Sequence, residues 1–553
     1  MLIAGCFATR PVSNITTTAS SLQPVTTEQA ALGTIGAGVV GTVDSQGVVT
    51  VGSTSLRIWI GGVDRWRRSD VDAGVRQRSI DDTPVMTHSL HGPGGDTTWS
   101  AYGFVPMGST AAAIAVHLSN ESTEPVVLAS VVGPGRRFEL RGDLLVVDGM
   151  AVLRCARRPR SWVAHTDLDE LARVVESAVA PDEPLTLDMP GFVALTQPLP
   201  HTLSTQLVML GDDRRVEVEA SASSSFPVPP TPEQVVSGWR MQLERGTRLL
   251  PADPADAAHW DADRCQVALA ESVSSPIELA AITAAAAILG WSTEAIQRST
   301  QLIQFIDRRG SIDGSVDATI DALRAWGLLA TSGASVALID EMVPHVASTA
   351  GWLIGGRKRP QLTDDQARRG VAALIAASAM MRAAGQDDAA RQIAAGAPRL
   401  AAATSVGRAA PAETDAVSPV VRAAHRIADL MDRHVTCTVD GIEIAQGFDV
   451  SWAGRSVECH DVPTPHGHIG WAMRWHGRRP ALLWDVEPSS ISVRLAANSV
   501  DPSWSTIEIT GETLLEVPPG VAEAELLIEA TLDVLRTGES IVPAGPAEGE
   551  SFG

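Results

Sequence analysis

Hydrophobic periodicity changes twice along this chain, and those two changes restrict the fold more than any other feature. From about residue 31 to 228, apolar residues come in short runs: Val48–Val51, Leu56–Ile60, Ala112–Leu118, Val126–Val132, Leu144–Val147, Val193–Thr196 and Thr205–Leu210. Turn signals such as Asp44-Ser45-Gln46-Gly47, Gly92-Pro93-Gly94-Gly95 and Gly211-Asp212-Asp213 separate them. Many short strands punctuated in this way predict an antiparallel β-sandwich over 31–228. One helix interrupts it, capped within Thr166-Asp167-Leu168-Asp169 and striped by Leu168, Leu171, Val174 and Val175. Residues 1–30, rich in Ser, Thr and Pro from residue 7 on, read as a loose lead-in.

The proline-rich hinge Pro227–Pro232 opens a linker segment, 229–255, whose helix starts with Thr231 as N-cap and Pro232 in the first turn. From 256 to 435 the period becomes helical in an Ala- and Leu-rich stretch. Seven or eight helices are expected, the candidates spanning 256–272, 276–289, 293–308, 315–330, 335–353, 363–384, 386–396 and 415–434. Gly290, Gly310, Gly333, Gly355-Gly356 and Gly385 stand at their joints, and 402–413 reads as a disordered joint. Short joints between helices of this length mean antiparallel helical hairpins. After 436 the pattern returns to strands, with Asp440-Gly441 as a hairpin turn. This small C-terminal β-domain runs over 436–536, and 537–553 forms a polar tail.

Composition narrows the class of function. Acidic residues number 65 against 43 basic ones, a formal charge of -22, which disfavours nucleic acid and anionic membrane as partners. The only tight basic runs are short, Arg65-Trp66-Arg67-Arg68 and Arg357-Lys358-Arg359. The longest apolar stretch, Leu279 to Trp291, is shorter than the roughly 20 residues of a membrane span. Five cysteines, Cys6, Cys155, Cys265, Cys437 and Cys459, form no CxxC pair, so reduced buried thiols in a cytoplasmic protein are expected. Ile3-Ala4-Gly5-Cys6 has the look of a lipoprotein cleavage box, but no charged region or apolar run precedes it. Chance is the expected reading, and export as a lipoprotein from a start upstream of Cys6 is the alternative.

The order of segments and three stretches resemble bacterial proteins with a six-hairpin glycosidase-like (α/α) toroid, among them actinobacterial debranching-like proteins. The stretches are Trp239–Leu250 (WRMQLERGTRLL), Asp313–Trp326 (DGSVDATIDALRAW) followed by Ser335–Trp352, and Gly477–Val486 (GRRPALLWDV) with Pro502-Ser503-Trp504-Ser505. The resemblance implies carbohydrate metabolism, an oligosaccharide or α-glucan ligand, and hydrolysis or remodelling by two carboxyl groups. Six hairpins make twelve helices and seven or eight are expected here, so an incomplete ring, open along one wall of the cleft, is the alternative to a full toroid. A non-catalytic sugar-binding or structural relative is the alternative function. Oligomeric state is not legible.

Two-carboxylate glycoside chemistry places the groups about 5–5.5 Å apart for retention and about 6.5–9.5 Å for inversion. In the toroid family these come from loops at one end of the helices. Asp313 lies in such a loop, Asp317 and Asp321 follow one and two turns on, and Glu271 flanks the Ser274-Ser275-Pro276 turn upstream. Asp313, Asp317 and Glu271 are the candidate catalytic acids, with Arg309 and Arg324 as neighbouring cations. The competing role is structural: Asp313 or Ser315 caps the helix and its acids favour the positive end. Trp291, Trp326 and Trp352 near helix ends are candidate sugar-stacking residues or else core plugs.

No cofactor is expected. Gly36-Ala37-Gly38-Val39-Val40-Gly41 matches GxGxxG, but a Val-rich hairpin follows where a dinucleotide site needs a helix. His460, His466 and His468 are read as exposed turn residues and not metal ligands, because Pro463 and Pro465 divide the cluster and no second dyad closes it. Metal analysis of the purified protein should therefore find no stoichiometric zinc. Bound zinc that disappears when His466 and His468 are replaced would contradict this.

Overall fold

The computed structural model describes residues 29–176, 186–210, 226–270, 273, 275–355, 362–402, 418–488, 493–518 and 520–521. The lead-in as far as residue 28, Cys6, Glu271, the basic run 357–359, the joint from 403 and the tail 537–553 lie outside the described residues.

The N-terminal half is one curled antiparallel sheet of 15 strands among the described residues. Its longest strand, Val126–Arg141, pairs with Thr54–Gly61, Leu144–Val147 and Thr186–Leu199. The curl sets apolar faces against each other around Leu32, Ile58, Trp99, Leu118, Leu128 and Leu207, all 0–1% exposed. That is the expected sandwich, closed from a single sheet. The GxGxxG stretch forms a hairpin of Ala30–Thr34 and Gly38–Val43, with strands on both sides. Helix α1, Leu168–Val175, is capped by Asp167, whose side chain accepts from the amides of Asp169 and Glu170.

The linker helix α2, Pro232–Leu243, begins with Thr231 and Gln234 in a reciprocal capping box. The Tyr102 hydroxyl donates to the Pro230 carbonyl at 2.6 Å and ties the sandwich to it. Nine α-helices follow among the described residues. They are α3 (Pro254–Leu269), α4 (Pro276–Ile288), α5 (Ser292–Leu302), α6 (Val316–Gly327), α7 (Val336–Gly355), α8 (Asp364–Ala383), α9 (Asp387–Ala394), α10 (Gly396–Ala401) and α11 (Pro419–His434). All eight candidate helices are present. The short α10 is the addition, continuing directly from α9 through Ala395.

Side-chain registers fix how these helices run. Asp317 meets Gln366 and Arg369 while Gly327 meets Ala376, so α6 and α8 are parallel. Asp321 meets His425 and Arg324 meets Asp432, so α11 is parallel to α6. Ile288, Leu328, Met431 and Val435 gather around one small cavity of about 40 Å³, which puts the C-terminal ends of α4, α6 and α11 together. By contrast Arg433 pairs with Asp256 and Arg426 with Asp263, which makes α3 antiparallel to α11. Four parallel inner helices, α4, α6, α8 and α11, are thus backed by outer partners: an (α/α) ring of four pairs among the described residues. The described residues thus give fewer than the six pairs of a full toroid.

Packing explains the arrangement. Helix α4 is apolar all round, and every residue from Leu279 to Ile288 is buried, as a helix surrounded by others requires. A Cβ on Gly327 would lie 2.4 Å from the Ala376 Cβ and carbonyl carbon, so the absent side chain sets the α6–α8 spacing.

Two further sheets complete the chain. A five-stranded one joins Arg248–Leu250 to Val457–Thr464, Gly467–His476, Arg479–Pro488 and Thr510–Leu514. A four-stranded one holds Val435–Cys437, Gly441–Ile444, Arg494–Ala496 and Ser505–Thr506. Their core residues Cys459, Val462, Trp471, Leu482 and Trp484 are continuous with the helical core. Val462 and Pro463 lie against the C-terminal ends of the inner helices and close that mouth of the ring. Cys155, Cys265, Cys437 and Cys459 are free thiols, and burial pushes Cys155 and Cys437 up to about 12. No helix among the described residues is long and apolar enough to cross a membrane.

Glycine to alanine in a helix normally adds about 0.5–1 kcal/mol of stability. Gly327→Ala should do the opposite, costing about 1–3 kcal/mol by overpacking and lowering the melting temperature in calorimetry. An unchanged or higher melting temperature would contradict the α6–α8 contact.

Candidate functional site

The candidate acids of the described residues lie at the other mouth, that of the N-terminal ends of the inner helices. The four inner helices begin there, at the N-caps Ser275, Ser315, Thr363 and Ser418. The loop before α6 carries Asp313 in a left-handed conformation (φ 50°), exposed, with no side-chain partner among the described residues. Ser315, not Asp313, caps α6 by accepting from the Ala318 amide. Asp313 is thereby released from the cap role that competed with a chemical one.

One and two turns into α6, Asp317 and Asp321 share a face, as their spacing predicts. Both meet Arg369 of α8. Arg369 also holds Asp365 at 3.0 Å and Asp321 at 3.0 Å, while Gln366 donates to Asp317 at 2.9 Å. Its side chain is 4% exposed, against 34% for Asp317 and 6% for Asp321. From α11, His425 completes the cluster, its Nε2 lying 2.9 Å from Asp321 Oδ2 and 3.2 Å from Arg369 Nη1. A guanidinium only donates, so the same nitrogen serves one partner. With Asp321 ionised, Nε2–H donates to the carboxylate and Nδ1 is left as an acceptor.

Burial pushes the Asp321 carboxyl upward, but the Arg369 charge and the His425 hydrogen bond outweigh it, and the group titrates below the ordinary carboxylate range. Burial likewise opposes the Arg369 charge, and Asp321, Asp317 and Asp365 together raise its pKa.

Behind this cluster, the opposite face of α8 lines a groove of about 770 Å³ between α8, α10 and α11. Its floor is Ala367, Val371, Ala372 and Ala401. Its rim carries Asp364, Arg368, Asp429, Asp432, Arg433 and Gln446. Long side chains bridge the seam, with Arg368 reaching Asp429 at 2.9 Å. Among the described residues this groove separates the two ends of the row of inner helices.

The remaining candidates fall elsewhere. Trp326 is fully buried, its indole N–H directed at the Ser299 carbonyl, and Trp291 is 7% exposed and donates to the Arg245 carbonyl. Neither presents a face for stacking; both are core plugs. Trp352 is half-buried against the helical core. Arg309 is exposed on the turn that Asp307 closes, and Arg324 is committed to Asp432, so the cation beside Asp317 is Arg369.

The histidine reading needs correction. His466 is 8% exposed, with Nε2 2.8 Å from the Thr438 carbonyl, while His460 and His468 sit on strands. His468 is fixed between Asp461 and the Thr331 carbonyl. His460 and His468 line one cavity with Asp461, while His466 is turned to the Thr438 carbonyl. Among the described residues no cluster of three metal-ligating side chains occurs.

No protein-family model and no curated protein matches the sequence. Among solved structures the chain is similar to a bacterial glucoamylase complexed with acarbose, at 10% identity over 68% of each chain, with a TM-score of 0.45. It is also similar to an inverting family GH92 mannosidase of Bacteroides thetaiotaomicron, at 11% identity over 67% of this chain and 59% of that one, with a TM-score of 0.36. A polysaccharide lyase shares 9% identity over 76% of this chain and 83% of its own, at a TM-score of 0.21. With overlaps this low, the site stands on the chain's own residues.

Removing Arg369 while Asp321 stays buried should cost about 3–5 kcal/mol, so Arg369→Met should denature at much lower urea. The lowered Asp321 pKa implies that the unfolded chain binds more protons in acid. Its contribution is full above the ordinary carboxylate value of about 3.9 and is lost as pH falls through the folded value. In Arg369→Met the sign reverses, since protonation relieves the buried charge, and the deficit against wild type should shrink between pH 7.5 and 5. A deficit that is constant or widens would contradict the pairing.

Proposed function

We propose that the chain is a carbohydrate-active protein that takes an oligosaccharide at the N-terminal mouth and open seam of its helical ring. The observation that carries this is the groove beside α8. An apolar floor suits the C–H faces of sugar rings, and a rim of carboxylates, guanidinium groups and an amide suits their hydroxyls. The carboxylate cluster adjoins it on the other face of the same helix.

Hydrolysis or remodelling would divide the labour between two acids. Asp317, paired with Arg369, is fitted to act as the anion. The proton donor would be a second carboxyl, Asp313 at the same mouth or Glu271, which lies outside the described residues. Asp321, positioned behind Asp317, orients His425 and is not itself placed to meet a ligand. The second reading, a non-catalytic sugar-binding relative, is favoured by the occupancy of Arg369. One guanidinium engages three carboxylates, which makes them struts. A cytoplasmic location belongs to the same proposal.

Maltoheptaose turnover and binding, measured side by side, separate these readings. If the chain is an enzyme, Asp313→Asn and Asp317→Asn should each lower turnover about 10²–10⁴-fold with the fold retained in calorimetry. A structural role for either acid would instead give about 0.5–2 kcal/mol of destabilisation with turnover intact. Binding without cleavage by wild type would support the non-catalytic reading. Absence of both binding and cleavage would contradict the proposal.

A further inference from the structure

The junction between the helical ring and the terminal sheets is built around one buried histidine that the carbohydrate reading does not use. His434 is the last residue of α11, 0% exposed, and the chain passes from it directly into the strand Val435–Cys437. Its backbone carbonyl accepts from the Ala445 amide at 2.9 Å, and that of Arg433 accepts from the Gly447 amide at 2.8 Å, which ties the helix end to the loop after Gly441–Ile444. The imidazole stacks on Trp452, with 5.1 Å between centroids and 20° between planes, and stands 6.3 Å from Trp471 of the five-stranded sheet. One side chain thus joins the end of an inner helix, the turn Val450–Trp452 and the sheet at the C-terminal mouth.

Hydrogen bonding fixes the tautomer. Nδ1 lies 2.8 Å from the Leu430 carbonyl, which only accepts, so Nδ1 carries the proton and Nε2 is a bare acceptor. Nε2 is buried and meets no donor among the described residues. A proton added there would make an imidazolium whose new N–H has no acceptor and is shut off from water. The charged groups that reach it are Arg433 on its own helix, which repels it, and Asp256 of α3, which attracts it but is held by Arg433 at 2.8 Å. The Val450–Trp452 turn faces it with Trp452 and the five-stranded sheet with Trp471, and Cys459, paired opposite Trp471, is a thiol that burial keeps neutral. Stacking on indole favours a cation by less than burial disfavours it. Burial accordingly lowers the His434 pKa to about 4, the Leu430 hydrogen bond opposing it only in part.

We infer that His434 is an acid-sensitive latch, whose protonation releases the terminal sheets from the end of α11 while the curled N-terminal sheet stays folded. The inference is independent of the carbohydrate reading. Once released, the imidazole is hydrated and returns to its ordinary value of about 6.5, so release takes up a proton. Release therefore grows as pH falls below about 6.5 and levels off below about 4. By that linkage the release constant should rise about 20-fold between pH 7 and pH 5.

His88 of the curled sheet is another buried imidazole with a lowered pKa, so stability of the whole chain in acid does not isolate His434 and the readout must be local. Hydrogen–deuterium exchange of the full chain is compared at pH 7 and pH 5 in wild type and in His434→Phe, which keeps an aromatic ring against Trp452 and does not titrate, after correction for the intrinsic effect of pH. His466, which donates to the Thr438 carbonyl, is present in both chains, so the difference between them belongs to His434. Wild type should lose protection about tenfold or more over 435–475, with Ala113–Asn120 and Val126–Arg141 little changed, and the loss in His434→Phe should be about fivefold smaller or less. Should His434→Phe fail to fold, His434→Gln serves instead, since its amide also donates without titrating. Retained protection over 435–475 in wild type at pH 5, an equal loss in the variant, or an equal loss across the curled sheet would each overturn the latch.

Discussion

Arg369 is the interaction on which the ring depends. Its guanidinium is almost wholly withdrawn from water, a state that costs several kcal/mol unless partners compensate. Three carboxylates from two helices supply that compensation, Asp317 and Asp321 from α6 and Asp365 from its own helix. His425 of α11 binds the same Asp321. One buried cation therefore sets the relative positions of three of the four inner helices at their N-terminal ends. The paired geometry also explains why polar residues occur in a ring otherwise built from Ala, Leu and Ile.

The rest of the ring follows from close packing. Helix α4 has no polar face and takes the most enclosed position, and the missing side chain of Gly327 lets α6 and α8 approach. Between α8 and α11 the contact is made by long charged side chains and not by apolar packing, and there the groove opens. The terminal strands close the opposite mouth through Val462 and Pro463. Among the described residues the acids lie at the N-terminal mouth and the groove along the seam.

Much of this was legible in the residues. Capping signals marked the helix start at Thr231 and narrowed two others to a few residues, of which Asp167 and Ser315 are the caps, because a cap is a local hydrogen bond between neighbours in sequence. The helical period of 256–435 was likewise visible, since burial of a helix face is written at intervals of three and four residues. The spacing of Asp317 and Asp321 placed them on one face. Their partners were not legible. Arg369 and His425 stand 48 and 104 residues from Asp321, and no local rule connects them. The one available signal was an Arg-Arg pair inside the acidic first turns of α8, after the Thr363–Gln366 capping box. The tryptophans were ambiguous for a related reason: a helix-end indole in a core and one at a cleft mouth have the same sequence context. Buried Trp326 settles that case only through its neighbours on other helices.

The central claim, that the open seam between α8 and α11 is where an oligosaccharide is held, is tested most directly by hydrogen–deuterium exchange with and without maltoheptaose. The account predicts slowed exchange confined to 364–372 and 429–437, with the curled N-terminal sheet unchanged. Slowed exchange on the face of the five-stranded sheet around 458–474, or none along α8 and α11 at saturating ligand, would contradict it.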